Sequence, residues 1–143
     1  MKRNDKIAVL GAAYKPDIDD PRESPAHAIN KLARIRDIAI SVHDPHVKEG
    51  DHEGMFVTND LESALLGAKA VLLVTNHACY RSLSARFFRE HMAGNVIADG
   101  RNWLNHQTLR AAGFELLVVG EPQITEDRAS SGSVRTRAMF RSH

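Results

Sequence analysis

Cysteine is nearly absent from this chain of 143 residues: Cys79 stands alone, which rules out an internal disulfide and suits a reducing, cytoplasmic setting. Long apolar runs are absent too. No stretch approaches the roughly 18 apolar residues of a membrane span, and the Met-Lys-Arg-Asn-Asp-Lys opening leads straight into a short strand rather than the apolar core of a signal peptide. Neither sign of charge dominates. The 19 basic and 18 acidic residues leave a net charge of +1, so nothing electrostatic argues for nucleic acid or a membrane as partner. A glycine-rich phosphate loop is also lacking: Ala12, Ala13, Tyr14 and Lys15 follow Gly11 where a dinucleotide-binding turn carries glycines. Independent NAD binding is therefore not expected, and Asp44, which mimics the ribose-binding acid of such folds, reads better as part of a strand-ending Asp-Pro turn.

What the chain does contain is regular alternation. Its hydrophobic share of 43% and charged share of 26% are ordinary for a soluble domain, and this length can bury about two-thirds of its unfolded surface. Strands are predicted at residues 6–11, 38–42, 55–58, 70–75, 95–98 and 114–119, the third as a short edge strand and the fourth as central. Helices are predicted at 25–35, with Ala26, Ile29, Leu32 and Ala33 on one face, and at 61–67, 81–92 and 103–112. Ser24 and Asp60 are the expected caps of the first two, with Pro25 at the first helical position. The fold class expected is α/β: a Rossmann-like, doubly wound, mainly parallel sheet of about six strands with helices on both faces. This domain is assigned to residues 1–120. Residues 121–143 are polar, poor in large apolar side chains, and read as a flexible tail; the alternative is that Val134, Met139 and Phe140 dock on another part of a larger protein.

The loop between the first strand and Ser24 holds Lys15, Asp17, Asp19, Asp20, Arg22 and Glu23. Loops at the carboxyl ends of parallel strands are where open α/β sheets bind ligands. Lys15 follows the first predicted strand and Arg101 the fifth, so a Rossmann-like order would bring both to the same sheet edge. Two cations there suit a diphosphate, lysine as a compact charge and arginine as a planar fork.

The run Gly-Ala-Ala-Tyr-Lys-Pro-Asp-Ile-Asp-Asp-Pro-Arg-Glu-Ser-Pro-Ala at 11–26 resembles the signature that opens the C-terminal domain of the UDP-glucose/GDP-mannose dehydrogenase family. His43-Asp44-Pro45-His46-Val47 and Asp99-Gly100-Arg101-Asn102 are similar to two further family motifs, in the same order. The resemblance implies that Lys15 and Arg101, with Tyr14 beside Lys15, contact the UDP part of a UDP-sugar. It implies that Arg22 lies near an NAD bound mainly by an N-terminal domain. In the family, two hydride transfers to NAD oxidise the sugar C6 alcohol to a carboxylate through a thiohemiacetal on a cysteine in Gly-Gly-x-Cys-x-x-Lys-Asp. That motif does not occur here, so no catalytic residue is expected, and the chain resembles the C-terminal third of such an enzyme, whose N-terminal and central domains would be its partners. The wording leans slightly toward enzymes acting on UDP-N-acetylhexosamines.

Other readings are weaker. A free-standing nucleotide-sugar binding module with a regulatory role is the alternative function. A receiver-like phosphoacceptor domain would need an aspartate and a lysine where Asn59 and Arg101 stand. His43, His46 and His52 with Asp44 and Glu53 share no helical face, so no metal site is expected. Cys79, despite neighbouring His77, reads as a passive thiol.

Overall fold

The computed structural model describes residues 5–13 and 24–118. Seven strands, β1 (Lys6–Leu10), β2 (Ala39–His43), β3 (Gly50–His52), β4 (Met55–Thr58), β5 (Ala70–Leu73), β6 (Val96–Asp99) and β7 (Glu115–Val118), form one sheet in the order β3-β4-β2-β1-β5-β6-β7. All neighbours pair in parallel except β3 with β4. The helices are α1 (Pro25–Ile35), α2 (Leu61–Leu65), α3 (Ala78–Arg81), α4 (Ala85–His91) and α5 (His106–Ala111). From β1 the chain winds outward through β2 to β4. It then returns to the other side of β1 and winds outward again through β5, β6 and β7. The direction therefore reverses between β1 and β5, which opens a crevice at their carboxyl ends.

Alternation along the strands divides the core in two. Ala8 and Leu10 enter one cluster with Val71, Leu73 and Ile97, covered by Leu65 of α2, Tyr80 of α3, Phe88 of α4 and Leu109 of α5. Val9 points the other way and joins Val42, Met55, Val57 and Ala26 of α1. Each fully buried large side chain contributes about 1.5–3 kcal/mol, and this two-sided demand is why β1 reads as unbroken apolar sequence. Helix α1 starts as expected: Ser24 Oγ accepts from Ala26 N–H at 2.9 Å, with Pro25 at the first helical position.

Several expectations need correction. The sheet has seven strands, because polar Gly50–His52 pairs antiparallel with β4 through a turn in which Glu53 and Gly54 both take positive φ, 53° and 88°; such turns match hairpin twist. Strand β4 is consequently one place in from the edge, and β1, not β5, occupies the centre. The helix expected at 81–92 is shortened to α4, and the short helix α3, which shares only Arg81 with that span, precedes it. Ser84 Oγ caps α4 by accepting from Phe87 N–H at 3.1 Å, which starts a new helix inside the expected one. Helix α5 begins at His106 rather than Trp103, since Trp103 and Leu104 give their N–H groups to Asp99. Leu32 of α1 is half exposed rather than buried.

Candidate functional site

The carboxyl edge of the sheet is built on two strand-end aspartates. Asp44, just past β2, has no exposed surface and accepts five hydrogen bonds. Its Oδ2 takes the N–H groups of Ala12 (2.7 Å) and Ala13 (2.9 Å) and His77 Nε2–H (2.7 Å). Its Oδ1 takes the N–H groups of His46 (2.8 Å) and Val47 (3.1 Å). Burial by itself raises a carboxyl pKa, but the His77 hydrogen bond and the backbone donors outweigh it and hold Asp44 well below the usual carboxylate range. One carboxylate thus ties together the loops that follow β1, β2 and β5.

Asp99, the last residue of β6, repeats the plan. Its Oδ1 accepts from Arg101 N–H at 3.1 Å. Its Oδ2 accepts from Trp103 N–H (2.7 Å), Leu104 N–H (2.8 Å) and His106 Nε2–H (2.7 Å). Against the raising effect of burial, these donors again lower its pKa, with Leu104 N–H and His106 foremost. The loops are also tied to each other. Trp103 Nε1–H donates to His77 O at 2.9 Å, and Arg81 lies 4.4 Å over the Trp103 ring.

Between β1 and β5 the walls meet closely. Gly11 has φ of +110°, and a Cβ there would sit 2.4 Å from Thr75 Cβ, so glycine serves the approach of two backbones rather than access of a pyrophosphate. Thr75 Oγ1–H donates to Ala13 O at 2.8 Å. Tyr80 Oη–H donates to His43 O at 3.1 Å and lies 2.8 Å from His43 Nδ1. Burial pushes the Tyr80 hydroxyl pKa well up and, against the raising effect of Asp44, lowers that of His43, so both stay neutral near pH 7. Just before His77, Asn76 Oδ1 is a buried acceptor with no hydrogen-bond partner among the described residues.

Of the residues assigned to UDP from sequence, Arg101 lies exposed at this edge. Its backbone is fixed by Asp99, and its guanidinium forms no ion pair among the described residues. Tyr14 and Lys15, as well as Arg22, lie outside the described residues. Asp44 is too enclosed to meet a ribose hydroxyl, in keeping with the turn reading. The histidines have separate tasks: His43 faces Tyr80, His46 packs edge-on against His77 at 5.0 Å, and His52 Nε2 bonds Lys48 O at 2.6 Å. Among the described residues, no three or more His, Cys, Asp or Glu side chains form a group able to hold a metal. Cys79 is exposed on α3, while His77 is directed to Asp44. No described helix is long and apolar enough to cross a membrane. A cavity of about 420 Å³, lined in part by Arg34, Asp51, Phe56 and Ser63, reaches the edge only at Thr58, the last residue of β4.

The sequence reading missed His77, Thr75, Tyr80 and Trp103 as builders of this edge. The hydrogen bonds made by their side chains here reach partners 26 to 62 residues away in the chain, beyond any local pattern. The legible signal was partial: an aspartate at the end of an apolar strand, twice.

Comparison with known proteins agrees with this architecture. Residues 8–106 match the family model described as UDP-glucose/GDP-mannose dehydrogenase family, UDP binding domain. A UDP-N-acetyl-D-mannosamine dehydrogenase of Methanococcus aeolicus is 29% identical over 121 residues, 82% of this chain and 27% of that protein. The UDP-glucose 6-dehydrogenase YwqF of Bacillus subtilis is 30% identical over 127 residues, 86% of this chain and 29% of that protein. The crystal structure of NDP-N-acetyl-D-galactosaminuronic acid dehydrogenase from Methanosarcina mazei superposes with a TM-score of 0.77 at 30% identity, covering 83% of this chain and 25% of that one. The chain therefore spans about a quarter of the length of these relatives. With residues 8–106 matched and the fold shared with a solved relative, the chain belongs to the UDP-glucose/GDP-mannose dehydrogenase family and represents its UDP-binding domain.

Proposed function

We propose that this domain holds the UDP part of a UDP-sugar at the carboxyl edge of its sheet and orients the sugar for NAD-dependent oxidation at C6 by the other domains of a complete dehydrogenase. The observation that carries the reading is Arg101: an exposed guanidinium, unpaired among the described residues, on a backbone anchored by Asp99 at the carboxyl end of β6, the second strand from β1. Arg101 and Lys15 are assigned to the diphosphate, Tyr14 to UDP binding with them, and Arg22 to the vicinity of the NAD. An arginine fork matches phosphate oxygens in paired, charge-assisted hydrogen bonds. The domain supplies orientation, and the bond chemistry lies elsewhere. UDP-N-acetylhexosamines and UDP-glucose are the substrate candidates, since relatives of both kinds align with the chain.

A titration with UDP followed by amide NMR shifts tests this. The chain is expected to bind UDP in the millimolar range, about −4 kcal/mol, because contacts from other domains are missing. Arg101→Ala is expected to weaken binding by about 1.5–3 kcal/mol, beyond detection at such affinity. In a complete enzyme, the same change should raise KM more than it lowers kcat, because the diphosphate is held alike in ground and transition states. Shift changes gathered around His43 to His52, or an Arg101→Ala chain that binds as before, would refute the assignment.

A further inference from the structure

Strands β2 and β4 diverge away from their carboxyl ends. They pair only at Val42↔Val57 and His43↔Thr58, whereas β2 pairs with β1 along its whole length from Ala39. Ala39 N–H donates to Asp5 O and His43 O accepts from Gly11 N–H, so the odd-numbered residues of β2 bond toward β1. The alternation of a parallel ladder then turns the N–H and C=O of Ile40 to the other side, where no strand partner faces them among the described residues. The gap is held open at both ends. Asn30 of α1 donates to Gly54 O at 3.2 Å, Arg34 donates to the same oxygen, and Asp51 accepts from Gly54 N–H at 3.2 Å. These bonds pin the β3–β4 turn to α1, while the β2–β4 ladder closes the opposite end. Between them lies the cavity of about 420 Å³, within the size range of small-molecule sites.

The lining selects the chemistry of the ligand. Ile40 sets a backbone donor and a backbone acceptor side by side, and Ser41 adds a hydroxyl. Two neighbouring hydroxyls on one ring answer such a pair, because each hydroxyl both donates and accepts. The charges of Arg34 and Asp51 oppose one another, so the cavity favours neither an anion nor a cation. Phe56 lines the cavity with 60% of its surface exposed, and the negative face of its ring suits the polarised C–H bonds of a sugar. An extended peptide would also answer Ile40, but a single unpaired residue is too short an edge for strand addition. We propose that this cavity binds an uncharged pyranose, its ring against Phe56 and its adjacent hydroxyls on Ile40, Ser41 and Asp51. The site is separate from the nucleotide site proposed above: β1 and β5 stand between β2 and β6, whose end carries Arg101, and the cavity meets the carboxyl edge only at Thr58.

The test uses the full 143-residue chain and methyl glucopyranoside as the probe, followed by amide NMR shifts. Saturable shifts are expected at Ile40, Ser41, Asp51 and Phe56 in the millimolar range, with Arg101 unmoved and the shifts unchanged by added UDP. The sugar dissolves far above that range, so weaker binding stays measurable. Phe56→Trp keeps an aromatic face and should bind within about twofold of the unaltered chain, whereas Phe56→Leu, apolar but not aromatic, should bind about 3–10-fold more weakly. Ser41→Ala removes one hydroxyl and should also weaken binding about 3–10-fold. Phe56 is exposed and Ser41 partly so, and the amide spectrum of each variant shows that it is folded. The proposal is overturned by the absence of saturable shifts at these residues, by sugar shifts that UDP displaces, or by a folded Phe56→Leu chain that binds as the unaltered chain does. Tighter binding of an acetylated dialanine amide than of the sugar would overturn it in favour of a peptide.

Discussion

At Asp99 a buried carboxylate satisfies three backbone N–H groups and a histidine at once. Asp99→Ala would leave four donors facing a methyl group, and breaking such a buried charge-assisted network costs about 3–5 kcal/mol, a large part of the roughly 5–15 kcal/mol that holds a domain folded. Urea denaturation measures this, and a loss under about 1 kcal/mol would contradict the role given to Asp99. The same network has a pH signature. Asp44 and Asp99 both have folded pKa values below the unfolded value of about 3.9, so the unfolded chain takes up protons first in acid. Their stabilisation is complete above about pH 4 and is lost as pH falls through their folded values. His43, lowered by burial, adds stability that is complete above its unfolded pKa of about 6.5 and is lost as pH falls through its lower folded value. The thermal midpoint should therefore sag below pH 6.5 and drop steeply below pH 4, and His43→Asn should flatten the first descent only. A midpoint that rises on acidification from pH 6.5 to 4 would sink this account. At this scale the sequence exposed the charges but not their partners: Asp44 was legible as a turn residue, whereas its bond to His77 spans 33 positions.

Among the elements, the β1 strand end and the shortened helix α4 behave most differently from their sequence pattern. Gly11→Ala places a Cβ against Thr75 in a left-handed backbone and should destabilise by about 2–4 kcal/mol, the sum of conformational strain and overpacking. Thermal or urea unfolding reads this directly, and a cost under about 1 kcal/mol would mean that the strand ends separate easily. Ser84→Ala removes the cap of α4 and should cost about 0.5–2 kcal/mol; a neutral result would show that packing of Phe88, and not the cap, sets the start of the helix. Here apolar spacing located helices and strands well, because burial on one face imposes its period on the residues. Their ends were less legible. Trp103 and Leu104 fit a helical pattern, yet Asp99 captures their N–H groups, and polar Gly50–His52 becomes a strand only because β4 offers it a partner.

For the molecule as a whole, the expected outcome is a domain that folds but does not turn over substrate. The sheet is covered by two core clusters, so unfolding should be a single cooperative transition, seen as coincident circular dichroism and fluorescence midpoints. Separate midpoints would divide the described residues into independent units. On the reading proposed above, in which other domains carry out the oxidation, the purified chain should not reduce NAD with UDP-glucose or UDP-N-acetylmannosamine. Turnover free of contaminating enzyme would refute that.

By itself, the sequence determined the α/β class, the order of its main strands and helices, and the motifs by which the family is recognised, because each depends on residues close together in the chain: a two-sided apolar run, a capped helix, a charged loop. The tertiary structure decided which strands are neighbours, that β1 takes the centre, and which groups meet at the carboxyl edge. Those outcomes depend on donors and acceptors brought together from distant segments, and a buried carboxylate such as Asp44 chooses its partners by where the folded sheet delivers them.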